Sequence, residues 1–99
     1  MRIQSIPWPP DRIEHIARHN VTPDEVDEAA FDDLHAIVEA LGKSESDRKK
    51  RIYRLLGRTQ EGRYMVFIFI YEGRGTVYPV TARDMTSEER RYYRAKATK

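Results

Sequence analysis

An α+β fold is predicted by three features of this sequence. Residues 52–56, 64–71 and 76–81 are rich in β-branched and aromatic side chains, and the glycine-bearing turns Gln60-Glu61-Gly62 and Glu72-Gly73-Arg74-Gly75 separate them. Ahead of them, within residues 1–35, apolar positions recur at helical spacing. Behind them, Thr86-Ser87-Glu88-Glu89 has the form of a capping box, in which a hydroxyl and a carboxylate three residues apart satisfy each other's backbone N–H groups and start a helix. The expectation is a single domain, 1–99, with two N-terminal helices, a small antiparallel sheet of three to four strands and one C-terminal helix.

The N-terminal part begins with Pro7, Pro9 and Pro10, followed by Ile13, Ile16 and Ala17 on one helical face, with Asn20 as the stop. Thr22-Pro23-Asp24-Glu25 is a second capping box with proline at the first helical position, and Val26, Ala29 and Ala30 follow on one face. For residues 31–41 two readings stay open, since Ala36-Ile37-Val38 fits a short strand and also a helix. Residues 42–50 are polar and aperiodic and read as a loop.

The meander over 51–82 has a middle segment, Tyr64-Met65-Val66-Phe67-Ile68-Phe69-Ile70-Tyr71, that is apolar without alternation, as a central strand covered on both faces should be. Pro79 has no N–H for a ladder, so its strand belongs at an edge or contains a bulge. The last helix is expected over 86–95.

The 99 residues include no cysteine, which excludes disulfides and thiolate metal sites, and the net charge is only +2. Its distribution is more telling. Residues 1–47 carry four basic and eleven acidic side chains, a net −7, and residues 48–99 carry fourteen basic and five acidic, a net +9. Either the second half faces an anionic partner such as a nucleic acid, or the halves neutralise each other across the fold. The start of the sequence lacks the pattern of a signal peptide and its longest apolar run is too short for a bilayer, so a cytoplasmic protein without membrane contact is expected.

His15 and His19 are four apart, but the glutamate of a zinc H-E-x-x-H site is missing between them, and His35 has no recognisable partner. A glycine-rich phosphate loop and a nucleophile elbow are also missing. No cofactor and no metal are expected. What remains is a set of arginines. If Gly57 lies opposite Tyr64 and Tyr64 opposite Arg83, then Arg58, Arg63 and Arg83 gather at one end of the sheet, beside the N-terminus of the capped helix, where a phosphate would be well received. The other reading is that Arg83 pairs with Asp84 or Glu89 and ties the last helix to the sheet.

The stretch Thr81-Ala82-Arg83-Asp84-Met85-Thr86-Ser87-Glu88-Glu89-Arg90-Arg91-Tyr92-Tyr93 resembles the C-terminal signature of BrnT-type toxins, in which a strand ending Ser/Thr-Ala-Arg leads into a helix with Glu-Arg-Arg-x-Tyr. Trp8 with Asp11, then Arg18-His19-Asn20-Val21-Thr22, then Phe31-Asp32-Asp33, is similar to the family's opening, and Leu55-Leu56-Gly57-Arg58 to its glycine-ended strand. Arg18 stands where the family has lysine and Asn20 where it has glycine. Arg48-Lys49-Lys50-Arg51-Ile52 supplies only basic residues where members place an acidic residue and an arginine.

The resemblance implies a RelE-like fold, metal-independent cleavage of RNA, and inhibition by a small DNA-binding antitoxin encoded next door. Such cleavage needs a base for the 2′-hydroxyl, cations for the charge on phosphorus and an acid for the leaving oxygen. Arg83 is the first candidate for the cation, with Arg63 and Arg90 as helpers, because guanidinium is permanently charged and forked to match phosphate. His19 and Tyr93 are the candidates for proton transfer, and Arg51, Arg54, Arg58 and Arg91 for RNA binding. Arg58, Arg63, Arg83 and Arg90 are expected to share one basic face, which an acidic antitoxin surface would cover. The competing readings are a catalytically degenerate module that binds RNA or antitoxin, and an interaction protein that forms a homodimer.

Overall fold

The computed structural model describes residues 2–43 and 50–97. Helix α1 spans Pro10–Ala17 and α2 spans Pro23–Asp27, continued by one π-helical turn, Glu28–Asp32. Four strands follow, β1 Ile37–Lys43, β2 Arg51–Arg58, β3 Tyr64–Gly73 and β4 Thr76–Asp84, and then α3, Ser87–Ala97. The strands form one antiparallel sheet in chain order. The fold class is therefore α+β, with the helices where the sequence places them. Of the two readings for 36–38, the strand is realised from Ile37 onward, and it adds a fourth strand to the meander. Of the expected loop over 42–50, Gly42 and Lys43 instead belong to β1, where they pair with Ile52 and Arg51, and positions 44–49 lie outside the described residues.

Local chemistry explains the helix ends. Pro10 opens α1, where its missing N–H costs nothing, and Asn20 ends the segment in the left-handed conformation at φ 59. At α2, Thr22 Oγ1 accepts the Glu25 N–H at 3.2 Å while the Glu25 carboxylate accepts the Thr22 N–H at 3.0 Å. Thr86 and Glu89 repeat this exchange ahead of α3 at 3.2 and 2.8 Å.

The missing alternation of β3 has its cause in the packing. Met65, Phe67 and Phe69 face a core formed with Ile16, Val21, Val26 and Ala29 from the N-terminal part and Leu55, Val77 and Ala82 from neighbouring strands. On the opposite face Val66 joins Leu56, Met85 and Tyr93 beneath α3. Pro79 meets both conditions set for it, because β4 is an edge strand and its ladder skips Val80 next to Pro79.

The strand registers differ from expectation. Arg58, not Gly57, lies opposite Tyr64, and Arg83 lies opposite Val66 rather than Tyr64. The first difference follows from the β2–β3 loop: the Thr59 N–H donates to the Arg63 carbonyl at 2.9 Å, with Gly62 at φ 97, and this closure makes Arg58 and Tyr64 partners. The second follows from a tight turn centred on Arg74 and Gly75, both at positive φ, which suits the right-handed twist of a hairpin. A one-residue slip changes which face a side chain meets, so Arg58 joins Tyr64 on the α3 side.

Gly57 sits inside β2 beneath the π-helical turn, and a Cβ there would lie 2.6 Å from the Ala29 carbonyl oxygen. Backbone, not a flexible side chain, is the obstacle. Gly57→Ala is expected to lower stability by about 1–3 kcal/mol, the usual range for overpacking; an unchanged midpoint of denaturant unfolding would show that the turn can lift away.

Candidate anion-binding site

The side chains expected to work together fall into two groups. Arg83 points to α3 and forms a fork with Glu89, Nη1 to Oε1 at 2.8 Å and Nη2 to Oε2 at 3.1 Å. The carboxylate thus occupies the position at the helix start where a phosphate was expected. Arg54 reaches the same Glu89 at 3.4 Å and pairs with Glu39 at 2.7 Å. Arg83 holds the Glu89 carboxyl well below the usual range, at about 2, and the Thr86 N–H assists.

Arg63 turns to the other side of the sheet. Its Nε donates to Asp84 at 2.7 Å, and Nη1 donates to Glu25 at 3.0 Å and to the Asn20 carbonyl at 2.6 Å. It therefore latches the start of β3 to the N-terminal helices. His19 contributes its backbone carbonyl to this latch, while its ring packs edge-on against His15 with centroids 5.7 Å apart, and His15 lies within hydrogen-bond distance of Thr81 Oγ1. Tyr93 is 4% exposed and donates to Asp33 at 2.6 Å. Burial first, and then that carboxylate, push its phenol well above the ordinary tyrosine range. It stays protonated at neutral pH and holds α3 to the segment before β1. Arg51 lies at the opposite end of β2 from Arg58, beside Lys43.

The second group surrounds Tyr64. The guanidinium carbons of Arg90, Arg58 and Arg94 stand 4.5, 5.0 and 5.1 Å from its ring centroid, within cation–π range. Arg94 Nε donates to the phenol oxygen at 3.1 Å, and the Tyr93 ring meets Tyr64 edge-on at 5.8 Å. This hydrogen bond, followed by the charges of Arg58, Arg94 and Arg90, holds the Tyr64 phenol below its ordinary value. Among the described residues, no carboxylate lies within ion-pair distance of Arg58 or Arg90.

Two of the open cavities that border the cluster adjoin Arg90. One, of about 350 Å³, is lined by Gly62, Arg63, Tyr64, Asp84, Met85 and Arg90; the other, of about 380 Å³, by Ser87, Arg90, Arg91 and Arg94. The basic face is thus built by Arg58, Arg90, Arg91 and Arg94, with Arg63 at its margin and Arg83 withdrawn into an ion pair. Sequence reasoning missed Tyr64 and Arg94 as members. The four-residue spacing of Arg90 and Arg94 was the available signal, because it sets both on one helical face; the register that brings Tyr64 to them was not.

Among the described residues no helix is long and apolar enough to cross a membrane, and no three His, Asp or Glu side chains are grouped to hold a metal ion. Neither a protein-family model nor a curated protein matches this chain. Fold and site together define a small α+β protein that presents an arginine-ringed tyrosine at one end of a four-stranded sheet.

The fork between Arg83 and Glu89 makes two linked predictions. Arg83→Ala should lower stability by about 1–2 kcal/mol, the scale of a partly exposed charged hydrogen bond. The Glu89 contribution should be present above pH 4.5, its unfolded value, and disappear as the pH falls toward about 2. Thermal unfolding of Glu89→Gln across that window should therefore show a shallower acid limb than the wild type; an identical limb would contradict the pairing.

Proposed function

We propose that the protein is the toxin of a toxin–antitoxin pair, a metal-independent ribonuclease of the BrnT type that holds the RNA phosphates at the Tyr64 end of the sheet. The observation that carries this reading is the convergence of Arg58 and Arg90, lacking carboxylate partners among the described residues, on Tyr64 beside a cavity. Cations brought together without counter-charge repel one another, and an anion between them relieves that cost. Guanidinium forks match phosphate oxygens, and an RNA backbone supplies phosphates at every step. The resemblance of the segments from Thr81 to Tyr93 and from Trp8 to Asp33 to the BrnT pattern adds the reaction class and the partner.

That partner is a DNA-binding antitoxin from an adjacent gene, which would neutralise the toxin by laying acidic side chains over Arg58, Arg90, Arg91 and Arg94. A second reading is a module that binds RNA or antitoxin without cleaving. It is favoured by one observation: Arg63 and Arg83, the expected stabilisers of the transition state, are held by Glu25, Asp84 and Glu89.

Purified protein incubated with RNA, free and ribosome-bound, in the presence of a chelator separates the two. Cleavage selects the ribonuclease, and salt-sensitive binding without cleavage selects the module. In either case Arg58→Ala and Arg90→Ala should each weaken RNA binding and reduce the salt slope by about one phosphate contact. Arg74→Ala, at the far hairpin turn, should not. Equal affinity of all three variants would remove the Tyr64 end as the binding site.

A further inference from the structure

We propose that Tyr64 is the general base of this cleavage, its phenolate oxygen taking the proton of the attacking 2′-hydroxyl while Arg58, Arg90 and Arg94 hold the scissile phosphate. The inference rests on the ribonuclease reading above and names the group that the sequence left unassigned.

The acid–base candidates closest to Tyr64 are engaged by their own contacts. Tyr93 is buried and donates to Asp33. His19, whose ring packs against His15, is not among the residues that line the cavity beside Tyr64. Asp84 lines the cavity, but both its oxygens accept from Arg63, at 2.7 and 3.3 Å. Glu89 is held by Arg83, Arg54 and the Thr86 N–H. Tyr64 differs from all of them. Its hydroxyl receives a hydrogen bond from Arg94, it lines the cavity, and it stands among three guanidinium groups that stabilise a phenolate by charge. The same cations favour a phosphate, so base and substrate are drawn to one place.

The groups facing Tyr64 are Arg58 from β2, Arg90, Arg94 and Tyr93 from α3, and Arg63 and Asp84 across the cavity. The arginines are permanently charged, and the Tyr93 phenol is displaced upward. Tyr64, displaced downward, is then the group whose deprotonation sets activity from neutral to alkaline pH.

The step balances. The phenolate removes the 2′-hydroxyl proton, the 2′-oxygen bonds to phosphorus, and the bond from phosphorus to the 5′-oxygen breaks. A 2′,3′-cyclic phosphate forms. The departing 5′-oxygen takes a proton from water, and the hydroxide left behind receives the proton from Tyr64, which restores the phenolate.

Tyr64→Phe keeps the ring and its cation contacts and deletes the oxygen. Cleavage of RNA, free or ribosome-bound, should fall roughly a hundred- to ten-thousandfold, the usual scale for a general base. Affinity for a 2′-deoxy oligonucleotide of the same sequence should stay within about threefold, since the phosphate contacts persist. The wild-type rate should rise with pH up to the Tyr64 pKa, and this rise should vanish in the variant. Site-specific replacement of Tyr64 by 3-fluorotyrosine, whose phenol is more acidic, should move the profile to lower pH and serves also if Tyr64→Phe fails to fold. A Tyr64→Phe protein that cleaves at the wild-type rate, or a profile unmoved by fluorination, overturns the inference and leaves the ribonuclease reading standing. Loss of binding together with cleavage makes Tyr64 a positioning residue and also overturns it. If the wild type cleaves neither form of RNA, the ribonuclease reading fails and this inference fails with it.

Discussion

The carboxylate of Glu89 is the contact on which the arrangement of the rest depends. It caps α3 through the Thr86 N–H, accepts a fork from Arg83 on β4 and reaches Arg54 on β2, so one side chain fixes a helix to two strands. Arg90 lies one residue further along the helix and Arg94 five, and their approach to Tyr64 follows from that anchor. The cluster is a product of the docking of α3. The link from Tyr93 to Asp33 fixes the same helix to the chain ahead of β1.

This division of labour also resolves the uneven charge of the chain. Part of the positive second half is neutralised across the fold, Arg63 by Glu25 and Arg54 by Glu39. Another part, Arg58 and Arg90, has no carboxylate partner among the described residues. Neutralisation across the fold is therefore realised at those pairs, and Arg58 and Arg90 stay outside it. Arg54, Arg63 and Arg83 hold the structure through their carboxylates, and Arg58 and Arg90 belong to the basic surface around Tyr64. Charge counts along a sequence do not distinguish the two roles, because the distinction is made by contacts far apart in the chain.

The local signals were legible and the nonlocal ones were not. Both capping boxes act between residues three apart, so Thr22 with Glu25 and Thr86 with Glu89 could be read from spacing alone. Pro79 likewise announces its edge strand, and the apolar run of β3 its two covered faces. Residues 37–41 stay ambiguous and Gly42 and Lys43 read as loop because β1 takes its conformation from pairing with β2, a tertiary effect that overrides weak local preference. Strand register depends on turn closure, and errors of one residue at Arg58 and two at Arg83 were enough to misplace the site. Arg83 looked like the centre of the chemistry because it ends a strand beside a helix N-terminus. Glu89, which answers that geometry, was in plain view as its other reading.

The central claim is that an anionic backbone binds where Arg58, Arg90 and Arg94 meet Tyr64. Its most direct test is a titration followed by NMR, with backbone amides and tyrosine ring carbons observed while a 2′-deoxy oligonucleotide is added. The account predicts that the largest shifts fall on Arg58, Tyr64, Arg90 and Arg94 and diminish as salt is raised. Shifts centred instead on the acidic N-terminal helices or on β1, or none at all at low salt, would contradict it.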